Sequence, residues 1–132
     1  MIEKIIFKEE VYAEIIRSNV KVNQTTFYSD SSSSFQFGIV SHERGYEEMP
    51  HYHKIFDRKI VDCQQMLYVQ FGKVEVIFYD MLKNKIASVI IEEGDSINIL
   101  KGVHAIKMIE KSQCITVKQG PFTSSQEDKI NV

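Results

Sequence analysis

Short runs of alternating apolar and polar side chains recur along the chain, and none keeps the spacing of a long amphipathic helix. Residues 2–7 are apolar and β-prone until Lys8, Glu9 and Glu10 interrupt them. Residues 11–18 fit either period and lean towards a strand; 25–28 form another short β-prone run. The serine-rich stretch 29–34 is a polar loop whose composition speaks only of flexibility. Residues 35–41 set Phe35, Phe37 and Ile39 on one face of a strand, and 54–62 read as a charged, irregular insertion. The clearest strands are 63–71 and 73–80, joined across Gly72, and 85–91, which follows the loop 81–84. Residues 96–100, 104–109 and 114–118 complete the series, the first two after turns at Gly94 and Gly102. About ten short strands between glycine turns predict an all-β sandwich or barrel.

Composition narrows the class without changing the architecture. The chain has 132 residues, 43% of them hydrophobic and 26% charged, which suits one domain spanning 1–132. Its net charge is −2 with no basic run, so nucleic acid is not an expected partner. There is no long apolar segment and no basic-then-apolar leader, so no membrane association and a cytoplasmic location are expected. Cys63 and Cys114 are isolated and read as small buried hydrophobes. Residues 63–80 are apolar on both strand faces: Leu67 and Val69 oppose Met66 and Tyr68, and Val76 and Phe78 oppose Ile77 and Tyr79. A second covered face in so short a chain predicts a homodimer.

The chemistry concentrates on histidine. The chain has four, and His51 and His53 lie two apart directly after a turn at Gly45. On a strand they point the same way, roughly 6.6 Å apart, which lets both imidazoles reach one ion. Gln65 and His104, on two further predicted strands, extend the set to three imidazoles and one amide, donors suited to Zn, Ni, Fe or Mn. Gln64 is expected to face away from Gln65 as a solvated amide, and His42 to be a surface histidine. Tyr46, Glu47 and Glu48 sit where the mouth of a barrel would lie.

These residues carry a resemblance to the cupins, small double-stranded β-helix or jelly-roll proteins. The family's first motif is matched by Gly45, five residues, His51-Tyr52-His53, a long spacer, then Gln65, six residues and Gly72. Its second is matched by Gly94, Gly102 and His104. Gln65 stands where the family has glutamate, Leu100 where it has the turn proline, and Met108 where it has asparagine. The resemblance covers roughly residues 35–118 and implies a barrel core there, with N-terminal strands in 1–34 and a polar tail in 119–132.

The resemblance implies a divalent transition metal held by His51, His53, Gln65 and His104, and a small-molecule ligand in the barrel. Glutamine in place of glutamate leaves such a site one charge more positive, which favours an anionic ligand. The chain is most similar to single-domain cupins of bacterial surface-polysaccharide and sugar-nucleotide metabolism, on His51-Tyr52-His53-Lys54, residues 64–68, Glu93-Gly94-Asp95 and residues 117–122. The implied activity is isomerisation or epimerisation of a sugar derivative; an Fe(II)-dependent dioxygenase and a non-catalytic ligand sensor are the alternatives.

Overall fold

The computed structural model describes residues 2–132, and among them the regular structure is almost entirely antiparallel β. The chain divides into two compact units, one made of residues up to Val20 together with Cys63–Val132, the other of Lys21–Asp62.

The first unit holds a five-stranded and a three-stranded sheet. The larger sheet runs in the order β1 (Glu3–Phe7), β2 (Glu10–Ile16), β8 (Ser96–Ile99), β5 (Gln65–Phe71), β10 (Gln113–Lys118). The smaller runs β7 (Lys85–Glu92), β6 (Lys73–Tyr79), β9 (Val103–Met108). Alternation decides which side chains meet between them. Ala13, Ile15, Leu67, Val69, Ile97 and Ile99 of the larger sheet share one core with Val74, Val76, Phe78, Val89 and Ile91 of the smaller. The predicted strands of this unit are present within a residue or two of their expected ends. Within the stretch 11–18, open to either period, residues 11–16 are strand because Ala13 and Ile15 pair with Ile99 and Ile97 and are fully buried. The N-terminal strands are therefore part of the central sheet. Among the described residues a single short helix, α1 (Ser125–Asp128), lies in the tail.

One carboxylate ties the turn between β7 and β8 to the rest of the unit. Asp95 Oδ1 accepts from the Ser18 amide at 2.8 Å, while Oδ2 accepts from the Glu92 amide at 2.9 Å and from Arg17 Nη1 at 3.0 Å. Arg17 also donates to the Ile90 carbonyl at 2.6 Å and pairs with Glu3 at 2.6 Å. The Asp95 main chain joins β5 as well, its carbonyl accepting from the Val69 amide at 3.0 Å. Arg17 thereby holds Glu3 of β1, Ile90 of β7 and Asp95 at once.

In the second unit, β3 (Thr26–Phe27) pairs with β4 (Gly38–Ile39). The intervening serine-rich loop is hydrogen-bonded: Asp30 Oδ1 accepts from the Ser32 amide and hydroxyl, and Gln36 Nε2 donates to the carbonyls of Asp30 and Ser33. The strand expected at 35–41 shrinks to two residues. The strand expected at the histidine pair is absent, residues 40–62 carrying no regular ladder. Alternating side chains make a strand only where a partner takes up the main-chain groups, and Pro50, just before His51, removes one donor.

Asp95→Ala removes the acceptor for three donors at a site where the carboxylate is 8% exposed, and we expect it to cost about 3–5 kcal/mol of unfolding free energy. Urea denaturation checks this; a loss below about 1 kcal/mol would remove Asp95 as the tie between the elements.

Candidate functional site

Each expected ligand is positioned differently by its own unit. In the first, Gln65 opens β5 on the inward face, in line with Leu67 and Val69. Its Nε2 donates to Thr116 Oγ1 on β10 at 3.0 Å, which leaves Oε1 as the amide's acceptor atom. Gln65 pairs across the sheet with Ile99, the last residue of β8, and His104 follows that residue by only five positions beyond the Gly102 turn. Gln65 and His104 are thus at the same end of this unit, on the facing sides of its two sheets.

His104 lies opposite Phe78 on β6, so its side chain belongs to the inward face of the smaller sheet. Its Nδ1 lies 2.9 Å from the Gly102 carbonyl. A carbonyl can only accept, so Nδ1 carries a proton; in the neutral ring the lone pair then lies on Nε2. An aromatic chain backs this arrangement. Tyr12 meets Phe78 edge-on at 6.2 Å between centroids, and Phe78 meets His104 at 6.4 Å. Gly102 adopts φ +95°, and a Cβ there would stand 2.6 Å from the Tyr12 ring.

In the second unit, His51 and His53 lie side by side, their rings edge-to-face at 5.3 Å. His51 Nδ1 lies 3.0 Å from the Met49 carbonyl, which fixes the same tautomer as in His104. Glu48 places a carboxylate oxygen 3.7 Å from that nitrogen. The pair is brought together by local chain geometry and not by strand alternation. Among the described residues, no three histidine, cysteine or carboxylate side chains form a metal-sized cluster. The structure therefore gathers His51 with His53 and sets Gln65 and His104 at one end of the other unit.

His42 is a surface histidine, as expected, whereas Cys63 and Gln64 depart from expectation. His42 stacks on Tyr46 at 3.8 Å and hydrogen-bonds Thr25. Arg58 lies over the Phe56 ring at 3.8 Å. Cys63 is exposed, because the strand begins only at Gln65, whereas Cys114 is half-buried against the core and burial pushes its thiol pKa up. Gln64 does face away from Gln65, yet it is buried, with its Oε1 accepting from Asn98 at 3.3 Å and its main-chain N–H donating to Gln119 Oε1 at 2.7 Å. Thr116 and Cys114 on the inward face of β10 were not legible as site neighbours, since only the register Leu67–Thr116 and Val69–Cys114 reveals them.

Comparison with protein-family models, curated proteins and solved structures returns no match. Among the described residues no helix is long and apolar enough to cross a membrane.

Gly102→Ala forces a Cβ into a left-handed backbone position and against Tyr12, and we expect a loss of about 1–3 kcal/mol. Thermal unfolding, read alongside NMR shifts of the Tyr12, Phe78 and His104 rings, checks it; an unchanged stability would show that the ring contact is not limiting.

Proposed function

We propose that this protein is a metal-binding cupin with a jelly-roll barrel, and that it binds or transforms a small polar anionic metabolite such as a sugar or nucleotide-sugar derivative. In this reading the candidate metal donors are the imidazole nitrogens of His51 and His53 in one unit and, in the other, the His104 imidazole nitrogen and the Gln65 amide oxygen. The observation that carries it is the state of the donor atoms. The Nδ1 atoms of His51 and His104 each lie against a backbone carbonyl, which makes Nε2 the ring nitrogen that could ligate. The Gln65 amide nitrogen is committed to Thr116, which does the same for Oε1. Metal-binding histidines are ordinarily held in this way through their other ring nitrogen.

Imidazole and amide donors are neutral, so an ion held by them would keep its full double charge and favour an anionic partner. Such an ion supplies Lewis-acid polarisation of a carbonyl or hydroxyl oxygen. The chain's own part is to orient the donors and to hold a carboxylate, Glu48, near His51 where a proton can be moved. Isomerisation or epimerisation is the reaction class that these parts suit.

Homodimerisation in the cytoplasm belongs to the same reading. Its support is an apolar outer surface on β5 and β10, where Tyr68 is 38% exposed and Ile115 and Val117 are each 48% exposed. β10 is also an edge strand of its sheet.

The test is elemental analysis of protein purified without an affinity tag, beside the His51→Ala/His53→Ala double variant. About one ion per chain in the parent, lost in the variant, is expected. No ion in either protein would overturn the metal reading. Thermal-shift measurement with nucleotide sugars then separates the two remaining uses of the fold: a raised melting temperature without turnover marks a ligand sensor.

A further inference from the structure

The outer side of the larger sheet carries a row of buried polar groups that the proposed site does not use. Glu14 on β2 is directly paired with Asn98 on β8, and both are buried, at 3% and 0% exposure. Gln64 and Gln119 continue the row towards β5 and β10. Two acceptors in it, Glu14 Oε1 and Asn98 Oδ1, have no hydrogen-bond partner. The Asn98 amide nitrogen is already used: it donates to Gln64 Oε1 at 3.3 Å.

An ionised carboxylate can only accept, so a charged Glu14 would leave two orphaned acceptors on neighbouring strands, each costing about 1–3 kcal/mol. One proton removes both deficits. The geometry points to Glu14 as a neutral acid in the folded protein, its proton donated to Asn98 Oδ1 to close an acid–amide pair across β2 and β8. Asn98 then has both side-chain polar atoms satisfied: Oδ1 by Glu14 and Nδ2 by Gln64.

The surroundings agree in sign. Burial disfavours the Glu14 anion and moves its pKa above the ordinary carboxylate value, against the opposing pull of Lys4 and of the Asn98 hydrogen bond. Lys4, opposite Glu14 on β1, is the charged group that acts on it; β8 presents Ser96 and Asn98, neither of which titrates. The folded state holds this proton more tightly than the unfolded chain. The stabilisation is thus complete below the unfolded pKa and is lost as pH rises through the folded one. The consequence is a pH-responsive joint in the central sheet. Its far end, Gln64, is the residue immediately before Gln65, so the joint also sets how firmly the start of β5 is held.

The test compares unfolding midpoints of the parent and Glu14→Gln between about pH 5 and pH 8, a window above the ordinary carboxylate range. Glutamine supplies the same donor and acceptor without titrating. The parent is expected to lose up to about tenfold in its folding equilibrium constant per pH unit as pH rises, with E14Q lacking that component and matching or exceeding the parent at the upper end. Equal pH slopes in the two proteins, or a loss of stability in E14Q at both ends, would overturn the assignment. Side-chain carbon NMR of the parent gives an independent reading should E14Q fail to fold: a Glu14 carboxyl with the shift of a neutral acid above the ordinary carboxylate range supports the pair, and that of a carboxylate there refutes it.

Discussion

The contact between Arg17 and Asp95 is the constraint on which the main unit depends. Two sheets that share a core still have to be fixed in relative register, and apolar packing is too undirected to do that alone. Arg17 reaches β1 through Glu3, β7 through the Ile90 carbonyl and the β7–β8 turn through Asp95. Asp95 in turn caps Ser18 and Glu92 and bonds β5 through its own carbonyl. A planar guanidinium with several fixed donors can serve such a junction; a lysine ammonium would not span the same three directions. With β7, β8 and β5 held together at this end, the opposite end, where β8 crosses to β9, presents Gln65 and His104 from the two facing sheets.

Polar groups are used in two different ways on the two sides of the larger sheet. On the inward side, Gln65 is the polar member of an otherwise apolar line, and its hydrogen bond to Thr116 orients one donor atom and leaves the other available. On the outer side, Glu14 and Asn98 are paired across β2 and β8, and hydrogen bonds link Asn98 to Gln64 and Gln64 to Gln119 just outside β5 and β10. A buried polar group without a partner is expensive in a low-dielectric setting, so each row constrains which rotamers and protonation states its members adopt. The same rule gives His51 and His104 their tautomers, since a backbone carbonyl beside Nδ1 accepts only one arrangement.

The sequence by itself determined the all-β character and nearly all the strands of the main unit. Residues 63–80 and 85–91 alternate strongly enough that burial of one face dictates their conformation, with Gly72 marking the turn between them. It also singled out His51, His53, Gln65 and His104, because donor types and spacing are properties of the chain alone. Only the tertiary structure decided what depends on partners distant in sequence. The histidine pair lies in an irregular segment because no neighbouring strand takes up its backbone, a matter on which local alternation is silent. Gln64 and Glu14 are buried because β8 brings Asn98 beside them, and nothing near either residue in the sequence signals that neighbour. Side-chain period is local and was legible; register, and with it the partner of every buried polar atom, is set by strands that meet only when the chain folds.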